Sequence, residues 1–267
     1  MTKTVLDLTV KSVQPLHERY VLLKLTDQSQ QLPPMQPGQF VEIRVDGSPT
    51  TFLRRPISIC NVDETENELW LLVAVVGDGT RRLSQLRPGD RLNCMLPLGN
   101  GFTLHSVSGS QPRVLLVGGG VGVAPLLYLG KAWHQRGAEP TFLLGARSGK
   151  DLLMLDEFRK YGRVLLTTED GTEGERGFVT NHTVLLQEHF DLVQCCGPTP
   201  MMKAVASNAH AQHTPCEVSL ENLMACGLGA CLCCVEKVKN ADAGTTSNVC
   251  VCKEGPVFNI NRLLWQI

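Results

Sequence analysis

The chain has 267 residues, of which 43% are hydrophobic and 19% are charged, a composition typical of globular proteins. This composition excludes a disordered, collagen-like or low-complexity chain, and the length favours more than one domain. The 25 Lys and Arg residues balance 26 Asp and Glu residues, so no excess of charge indicates binding to nucleic acid or to an anionic membrane.

Cysteine is the most informative residue type in the composition. The chain has eleven cysteines, and six of them lie between Cys226 and Cys252. A secreted disulfide scaffold is usually short and has an even number of cysteines, and this chain has neither property. The N-terminal segment contains Lys3 and Asp7 and no apolar core of the length found in signal peptides. We therefore expect a cytoplasmic protein, in which a dense group of cysteines indicates metal or redox chemistry.

The first region of the chain, Thr4–Leu104, contains many short apolar or alternating stretches. Strands are predicted at Tyr20–Leu25, Phe40–Val45 and Leu69–Val76, and pairs of turn residues such as Pro-Gly and Asp-Gly lie between them. Short strands with regular turn signals favour a β-barrel or a sandwich. We predict a β-barrel domain over residues 1–105.

The second region, Gln111–Pro215, alternates between apolar strands and helices. The predicted strands are Val114–Val117, Thr141–Leu144, Val164–Thr167 and Leu192–Cys195, and the predicted helices are Ala124–Arg136 and Lys150–Tyr161. This alternation indicates a parallel sheet in a doubly wound α/β domain, which we place at residues 106–215. The uncharged run Val114–Gly130 is too short for a membrane span and is broken by glycines, so it is interpreted as a strand, a turn and the start of a helix.

The third region, residues 216–267, is small and rich in cysteine and glycine, so it needs a metal or a neighbouring domain to stay folded. Cys226, Cys231 and Cys234 have the spacing C-x4-C-x2-C, and further cysteines lie downstream. This spacing is typical of plant-type ferredoxins, in which a fourth cysteine completes the ligands of a 2Fe–2S cluster. Gly227 and Gly229 allow the sharp turns that a loop around such a cluster requires.

Alternatives remain open for this cysteine group. A structural zinc site prefers paired C-x2-C spacings, and only one such spacing is present among the expected ligands. Cys250 and Cys252 lie on the same face if their segment is extended, so alternation does not decide which of them is the fourth ligand. Cys233 is surplus to the expected set.

A glycine-rich turn in the second region indicates binding of a nucleotide phosphate. Gly118, Gly119, Gly120 and Gly122 follow an apolar strand and precede a helix, which is where a parallel sheet offers backbone amides to a phosphate. Pro125 stands where the pattern G-x-G-x-x-G has its third glycine.

Two segments of the first region also have features of a phosphate site. Arg54 and Arg55 precede Pro56 in a strand-like stretch, where an arginine either grips a phosphate or remains solvated. The segment Gly77–Leu83 is expected to form a flexible turn with free amides and the Thr80 hydroxyl.

Two segments that follow strands of the second region offer further candidate residues. Cys195–Met202 lies where open α/β sheets bind ligands, and Cys196 is either a buried thiol that fills space or a neighbour of a redox site. Arg147 and Ser148 also follow a strand, where they would contact either a 2′-phosphate or a ribose. The choice between NAD and NADP is therefore left open.

Taken in order, the segments RRPIS, GDGT, GGGVGVAP, CGPTPMM and the C-x4-C-x2-C loop resemble the ferredoxin–NADP reductase superfamily. The segments SLENLMACGLGACLCC and VCKEGPVF make the chain similar to electron-transfer subunits of NAD-dependent (class 1B) dihydroorotate dehydrogenases. This resemblance covers nearly the whole chain. It implies a multidomain fold: a β-barrel flavin domain, an α/β doubly wound nicotinamide-binding domain and a small 2Fe–2S C-terminal domain.

The resemblance also implies the functional residues. FAD would be bound by Arg55, Pro56, Ile57, Ser58, Leu72, Val73, Ala74, Gly79 and Thr80. NAD would be bound by Gly118, Gly119, Gly120 and Gly122, with Cys196 as a catalytic residue beside the nicotinamide. The cluster ligands would be Cys226, Cys231, Cys234 and Cys252, because the match to V-C-x-x-G-P-V-F selects Cys252 over Cys250.

The function implied is an electron relay in the biosynthesis of the pyrimidine nucleotide UMP. Electrons would pass from the FMN of a catalytic subunit that oxidises dihydroorotate, through the 2Fe–2S cluster and FAD, to NAD⁺. The subunits would form a heterotetramer of two plus two, with an apolar contact surface around the Cys226–Cys234 loop. The alternatives are a FAD and 2Fe–2S diaphorase subunit of another NAD(P)H-dependent complex, such as a sulfhydrogenase or a transhydrogenase, and a zinc-stabilised binding module without redox activity.

Overall fold

The structure is a computed structural model that describes residues 2–104, 112–240 and 244–266. The chain packs as two compact units. The first unit contains Met1–Gly101, Asn222–Glu236 and Val249–Pro256, and the second contains Phe102–Glu221, Lys237–Asn248 and Val257–Ile267. The predicted boundary between residues 105 and 106 lies outside the described residues.

The first unit is built on an antiparallel barrel. Its strands are β1 (Thr4–His17), β2 (Tyr20–Thr26), β3 (Phe40–Ile43), β4 (Arg55–Asp63), β5 (Glu68–Ala74) and β6 (Arg91–Leu98). They close in the order β1-β2-β5-β4-β3-β6, so each strand is paired on both edges and the sheet has no free edge. Leu23, Leu25, Ile59 and Leu69 are fully buried, and each contributes about 1.5–3 kcal/mol through its removal from water. The predicted barrel is confirmed.

The prediction of a flexible turn over Gly77–Leu83 is wrong, because helix α1 (Asp78–Ser84) forms there. The Thr80 hydroxyl accepts the backbone N–H groups of Val76 and Gly77 at 2.9 and 3.1 Å, which fixes the entry to the helix. Leu83 is buried and anchors the helix on the barrel. The amides of Val76 and Gly77 are therefore not free.

The second unit is built on a mainly parallel sheet. The remaining strands are β7 (Val114–Gly119), β8 (Thr141–Ala146), β9 (Arg163–Thr168), β10 (Glu175–Arg176), β11 (Leu192–Cys196), β12 (Cys216–Ser219), β13 (Val235–Lys239), β14 (Thr246–Cys250) and β15 (Val257–Asn259). Seven of them form a sheet in the order β10-β9-β8-β7-β11-β12-β15, and only β15 runs antiparallel to its neighbour. The order reverses between β7 and β11, and such a switch point is where open α/β sheets bind their ligands.

The helices of the second unit are α2 (Ala124–Gln135), α3 (Leu155–Arg159), α4 (Val184–Gln187) and α5 (Thr199–Ala211). The predicted helix Ala124–Arg136 is confirmed in α2, and Arg136 is its C-cap. The indole N–H of Trp133 in α2 donates to Oε1 of Gln194 in β11 at 2.9 Å, which fixes the helix on the sheet. None of the helices in the described part of the chain has the length and apolar character that crossing a membrane requires.

The prediction of a single helix over Lys150–Tyr161 is wrong. Gly149–Asp151 forms a short 3-10 helix, and Met154 has a left-handed φ of 56°, so α3 begins only at Leu155. Leu153 and Phe158, on either side of Met154, are both buried. Packing of these two apolar side chains decides the local backbone, which helix propensity alone does not.

The segment from Cys250 to Cys252 is not extended, so strand alternation does not apply to these two cysteines. Cys250 ends β14, whereas Cys252 lies in helix α6 (Val251–Glu254). The Val251 N–H donates to the carbonyl of Cys234 at 3.0 Å. The Gly255 N–H donates to the carbonyl of Val251 at 3.0 Å, which closes the helical turn. The two cysteines therefore differ in backbone environment.

Candidate functional site

The cysteine loop of the first unit, Cys226–Cys234, turns sharply and has no regular secondary structure. Gly227, Gly229 and Leu232 all have left-handed backbone, with φ values of 65°, 82° and 60°. Gly227 is required for packing as well, since a Cβ at this position would come within 2.7 Å of Cγ of Glu42. The loop is therefore folded tightly onto strand β3.

Backbone amides around this loop are directed at cysteine sulfurs. The N–H of Leu228 donates to Sγ of Cys226 at 3.3 Å, and the N–H of Gly229 donates to Sγ of Cys252 at 3.1 Å. The N–H of Cys252 donates to Sγ of Cys234 at 3.4 Å. Such bonds stabilise the negative charge of thiolates, and they are typical of the surroundings of iron–sulfur clusters.

The amide bonds also change the protonation of the loop. The Leu228 amide, followed by the amides of Cys231 and Ala230, lowers the pKa of Cys226 to about 6 against the opposing effect of burial. Cys226 is therefore a thiolate near neutral pH, the form that binds metal. Burial raises the pKa of Cys252 to about 12, and its contact with Cys234 adds to this shift. A bound cation would ionise such a thiol outright.

The structure separates Cys252 from Cys250. The sulfur of Cys252 accepts the N–H of Gly229, whereas the sulfur of Cys250 lies 3.7 Å from the Gly229 carbonyl oxygen, to which it donates. Burial, followed by the neighbouring Cys234, raises the pKa of Cys250. The accepted amide favours ionisation of Cys252 once a metal offsets the burial that keeps its thiol protonated, whereas the carbonyl contact holds Cys250 as a thiol. Cys233 is exposed.

The donor set of the loop fits an iron–sulfur cluster. Cys226, Cys231, Cys234 and Cys252 interact in pairs, with Cys226 beside Cys231 and Cys234 beside Cys252. No three His, Cys, Asp or Glu side chains in the described ranges converge closely enough to hold a single metal ion. Four cysteine sulfurs, three of which accept backbone amides, would hold a larger anionic core.

An apolar surface surrounds the cysteine loop, as expected. Leu223 is 86% exposed, Leu232 is 64% exposed and Leu228 is 44% exposed. Exposed leucines grouped around a functional loop are typical of a protein–protein contact surface.

Arg54 and Arg55 differ in what they contact, which the sequence did not reveal. The guanidinium of Arg54 donates to the carbonyls of Glu42 and Asn93 at 3.1 and 3.0 Å, and also to the Asn93 side chain. The guanidinium of Arg55 donates to the carbonyls of Leu53 and Arg54, in its own segment, at 3.2 and 3.1 Å. Arg54 stabilises the barrel, and Arg55 is the residue suited to a phosphate group.

The other predicted flavin residues lie on the same unit. Pro56, Ile57 and Ser58 are half-buried on β4, whereas Leu72 and Val73 on β5 are buried. A Cβ at Gly79 would come within 3.0 Å of Nε of Arg55, so the glycine leaves room for that side chain. Ala74 ends β5 and is half-buried. The predicted flavin residues therefore lie on the neighbouring strands β4 and β5 and in helix α1.

The glycine-rich turn lies at the switch point of the sheet. Gly118 and Gly119 end β7, and Gly120 has a φ of 56° at the start of a 3-10 turn. A Cβ at Gly122 would come within 2.6 Å of the Cys196 carbonyl oxygen. The turn thus packs directly against the end of β11.

Cys196 is a buried thiol beside this turn. Burial, followed by the nearby Glu221 carboxylate, raises its pKa well above the ordinary value. Cys196 therefore stays neutral, and it would act on a ligand by contact and not as a thiolate nucleophile. The interpretation of Cys196 as a buried thiol is confirmed, and its place beside a redox site stays a prediction.

A cavity of about 530 Å³ lies beyond the ends of β8 and β9. It is lined by Ser148, Gly149, Lys150, Asp170 and Thr172. Hydrogen bonds from the Thr172 hydroxyl and N–H lower the pKa of Asp170, which is therefore a carboxylate. Sequence reasoning singled out Ser148 but missed Asp170, although the segment TEDGTEGERGFVT contains it.

Comparison with known proteins decides the family. The iron–sulfur cluster binding domain of dihydroorotate dehydrogenase B matches residues 221–264, and the oxidoreductase NAD-binding domain matches residues 116–207. The dihydroorotate dehydrogenase B (NAD⁺) electron transfer subunit of Shouchella clausii is 41% identical over 86% of this chain and 86% of its own. The subunit of Geobacillus kaustophilus is 37% identical over 96% of this chain and 97% of its own.

The chain belongs to the family of dihydroorotate dehydrogenase B electron transfer subunits. Its membership confirms the resemblance drawn from the cysteine and glycine motifs. The family match over residues 221–264 favours the iron–sulfur interpretation of the cysteine loop over a structural zinc site.

Solved structures agree with this membership. A structure of the NADH-dependent reduced ferredoxin–NADP oxidoreductase, described for flavin-based electron bifurcation, has a TM-score of 0.81 and 31% identity, over 99% of this chain and 92% of that one. The cytochrome b5 reductase domain of Ulva prolifera nitrate reductase has a TM-score of 0.65 at 18% identity, over 79% of this chain and 93% of that one, and shares the fold alone. The predicted barrel and α/β architecture of this electron transfer subunit is confirmed.

Proposed function

We propose that this chain binds FAD and a 2Fe–2S cluster and relays electrons from the FMN of a dihydroorotate-oxidising catalytic subunit to NAD⁺ in the biosynthesis of UMP. The cluster transfers single electrons, and the flavin converts between one-electron and two-electron transfer. The observation that carries the proposal is the cysteine loop with its amides directed at thiolates, folded onto the barrel that also bears the flavin residues.

The residues of the chain bind, orient and shield these groups. Arg55 places a positive charge for the FAD phosphates, and the half-buried Ser58 on β4 offers a hydroxyl to the flavin ring. Gly120 leaves room for the NAD pyrophosphate, Gly122 allows the turn to lie against the end of β11, and Cys196 excludes water beside the nicotinamide. Cys226, Cys231, Cys234 and Cys252 are the proposed ligands of the cluster.

The catalytic subunit would dock on the apolar surface formed by Leu223, Leu228 and Leu232. Obligate interfaces are large and hydrophobic, and electron transfer requires a short path from the cluster to the partner. We propose a heterotetramer of two plus two subunits in the cytoplasm. The proposed functional segments are 1–105 for FAD, 106–215 for NAD and 216–267 for the cluster.

A diaphorase subunit of another NAD(P)H-dependent complex is the second candidate. The 31% identity to the NADH-dependent reduced ferredoxin–NADP oxidoreductase structure favours it, because that similarity also covers nearly the whole chain. The two candidates differ in the electron donor and share the cofactors.

Co-expression with a dihydroorotate dehydrogenase catalytic subunit tests the proposal. We expect the two chains to copurify with FMN, FAD and iron and to reduce NAD⁺ when dihydroorotate is added. Cys231→Ala should abolish this activity, and Cys233→Ala is its matched control, since both cysteines are exposed in the same loop. Full activity of Cys231→Ala would contradict the cluster's role, and reduction of NAD⁺ only with another donor would favour the second candidate.

A further inference from the structure

Glu42 is a buried carboxyl on β3 with no exposed surface. Neither of its carboxylate oxygens accepts a hydrogen bond from any residue that the structure describes. A buried polar group without a hydrogen-bond partner lowers the free energy of unfolding, and a buried unpaired charge lowers it further. A fold that keeps such a group has a reason for it outside ordinary packing.

The side chain of Glu42 faces the cysteine loop. A Cβ at Gly227 would come within 2.7 Å of Cγ and 3.2 Å of Oε1 of Glu42, so the carboxyl lies directly against this loop residue. Gly227 follows Cys226, and the Cys226 thiolate acts electrostatically on Glu42. The carboxyl is thus placed beside the proposed cluster site by a rigid barrel strand.

Arg54 and Arg55 are the cations that act electrostatically on this carboxyl, and neither donates a hydrogen bond to it. The guanidinium of Arg54 donates instead to the carbonyls of Glu42 and Asn93 and to the Asn93 side chain. Burial raises the pKa of Glu42 to about 7 against the opposing effect of Arg54, so the carboxyl is charged at alkaline pH, where its field extends through low-dielectric surroundings. Glu68, the other buried glutamate of the barrel, differs in this respect, because it binds Lys11 at 2.5 Å and Trp70 at 2.8 Å.

We propose that Glu42 sets the reduction potential of the iron–sulfur cluster, through a buried carboxylate that β3 holds against the cysteine loop. This inference rests on the proposed function. A negative charge beside the cluster disfavours the arrival of an electron, so Glu42 keeps the potential low. Net charge near a cluster is one of the factors that determine its potential. Glu42 is a positioning residue in this role, since it acts through the electrostatic field and ligates no iron.

The test is a redox titration of the full chain with its cofactors at one fixed alkaline pH. Electron paramagnetic resonance measures the reduced cluster at each potential. Glu42→Gln preserves the side-chain shape and removes the charge. At a given applied potential, we expect the ratio of reduced to oxidised cluster in Glu42→Gln to be about tenfold higher than in the wild type. For a one-electron couple, that shift equals a rise of about 59 mV in midpoint potential. Glu68→Gln is the matched control, because it removes a buried carboxylate from β5, which β4 separates from β3. It should leave the potential unchanged.

Each outcome bears on the inference. Iron-replete Glu42→Gln with the wild-type potential would overturn it, and so would an equal shift in Glu68→Gln. If Glu42→Gln fails to bind iron, Glu42→Met is measured in its place. A midpoint potential above that of the wild type in Glu42→Met supports the inference. Loss of iron in both variants overturns it in favour of a role in folding. Wild-type chain without iron would instead overturn the proposed function, and this inference with it.

Discussion

Gly122 lies directly against Cys196: a Cβ at Gly122 would come within 2.6 Å of the Cys196 carbonyl oxygen and 2.5 Å of Cα of Gly197. This contact joins the turn after β7 to the end of β11, where the strand order of the sheet reverses. The proposed nicotinamide site therefore depends on a close approach between two backbones, which only glycine permits.

Gly122→Ala should weaken nicotinamide binding. The added methyl group must displace the backbone of Cys196 or Gly197, and overpacking of this kind costs about 1–3 kcal/mol. We expect a higher KM for NADH in a diaphorase assay with an artificial electron acceptor, together with a lower Tm. Gly137→Ala is the control in the same unit: a Cβ there meets nothing within 4 Å, and its left-handed φ of 82° means that the variant should lose Tm through backbone strain and keep the wild-type KM. An unchanged KM in Gly122→Ala would contradict the proposed site.

The adjacent arginines should respond differently to the same substitution. Arg55→Ala should release FAD during gel filtration, because a charge-assisted bond to phosphate of about 2 kcal/mol is lost. Arg54→Ala should lower the Tm of the protein freed of FAD, because the carbonyls of Glu42 and Asn93 lose their donor. The flavin-to-protein absorbance ratio and thermal denaturation distinguish the two effects. Retention of FAD by Arg55→Ala would assign the phosphate to another residue.

The fourth cluster ligand can be identified by a matched pair of serine variants. Cys252→Ser should lose iron, because the buried Cys252 sulfur that accepts the Gly229 N–H is removed from the ligand set. Cys250→Ser should retain iron, because the Cys250 sulfur donates to the Gly229 carbonyl and accepts no backbone amide in the described part of the chain. Iron content and the visible spectrum measure both. Loss of iron in Cys250→Ser alone would reverse the assignment.

His182 should make the stability of the second unit dependent on pH. It is buried, and its Nδ1 accepts the N–H of Val184 at 3.0 Å, which requires the neutral ring. Burial lowers its pKa from 6.5, and Glu175 opposes part of this shift. Since the folded pKa lies below the unfolded value, the stabilisation is present above pH 6.5 and is lost as the pH falls through the folded pKa.

Thermal denaturation at a series of pH values tests this dependence. His182→Gln should have a lower Tm at neutral pH and a smaller loss of Tm on acidification than the wild type. His189→Gln is the control, because His189 is an exposed histidine near the same helix. It should keep the wild-type pH dependence. Equal loss of Tm on acidification in His182→Gln and wild type would contradict the role of His182.

Local patterns in the sequence determined the fold class and the family. The alternation of strands and helices predicted the α/β sheet, and the short strands with turn pairs predicted the barrel. The spacing of Cys226, Cys231 and Cys234 indicated an iron–sulfur loop, because the ligands that wrap a small cluster must lie close together in the chain. The residues that bind each cofactor stay predictions.

Contacts between distant residues were decided only by the tertiary structure. The difference between Arg54 and Arg55 depends on Asn93, 39 residues away from Arg54, and that between Cys250 and Cys252 depends on Gly229. The burial of Glu42 depends on Gly227, which lies on a segment far along the chain. A sequence pattern reports the preferences of neighbouring residues, whereas hydrogen bonding and burial are fixed by whichever segments the fold brings together.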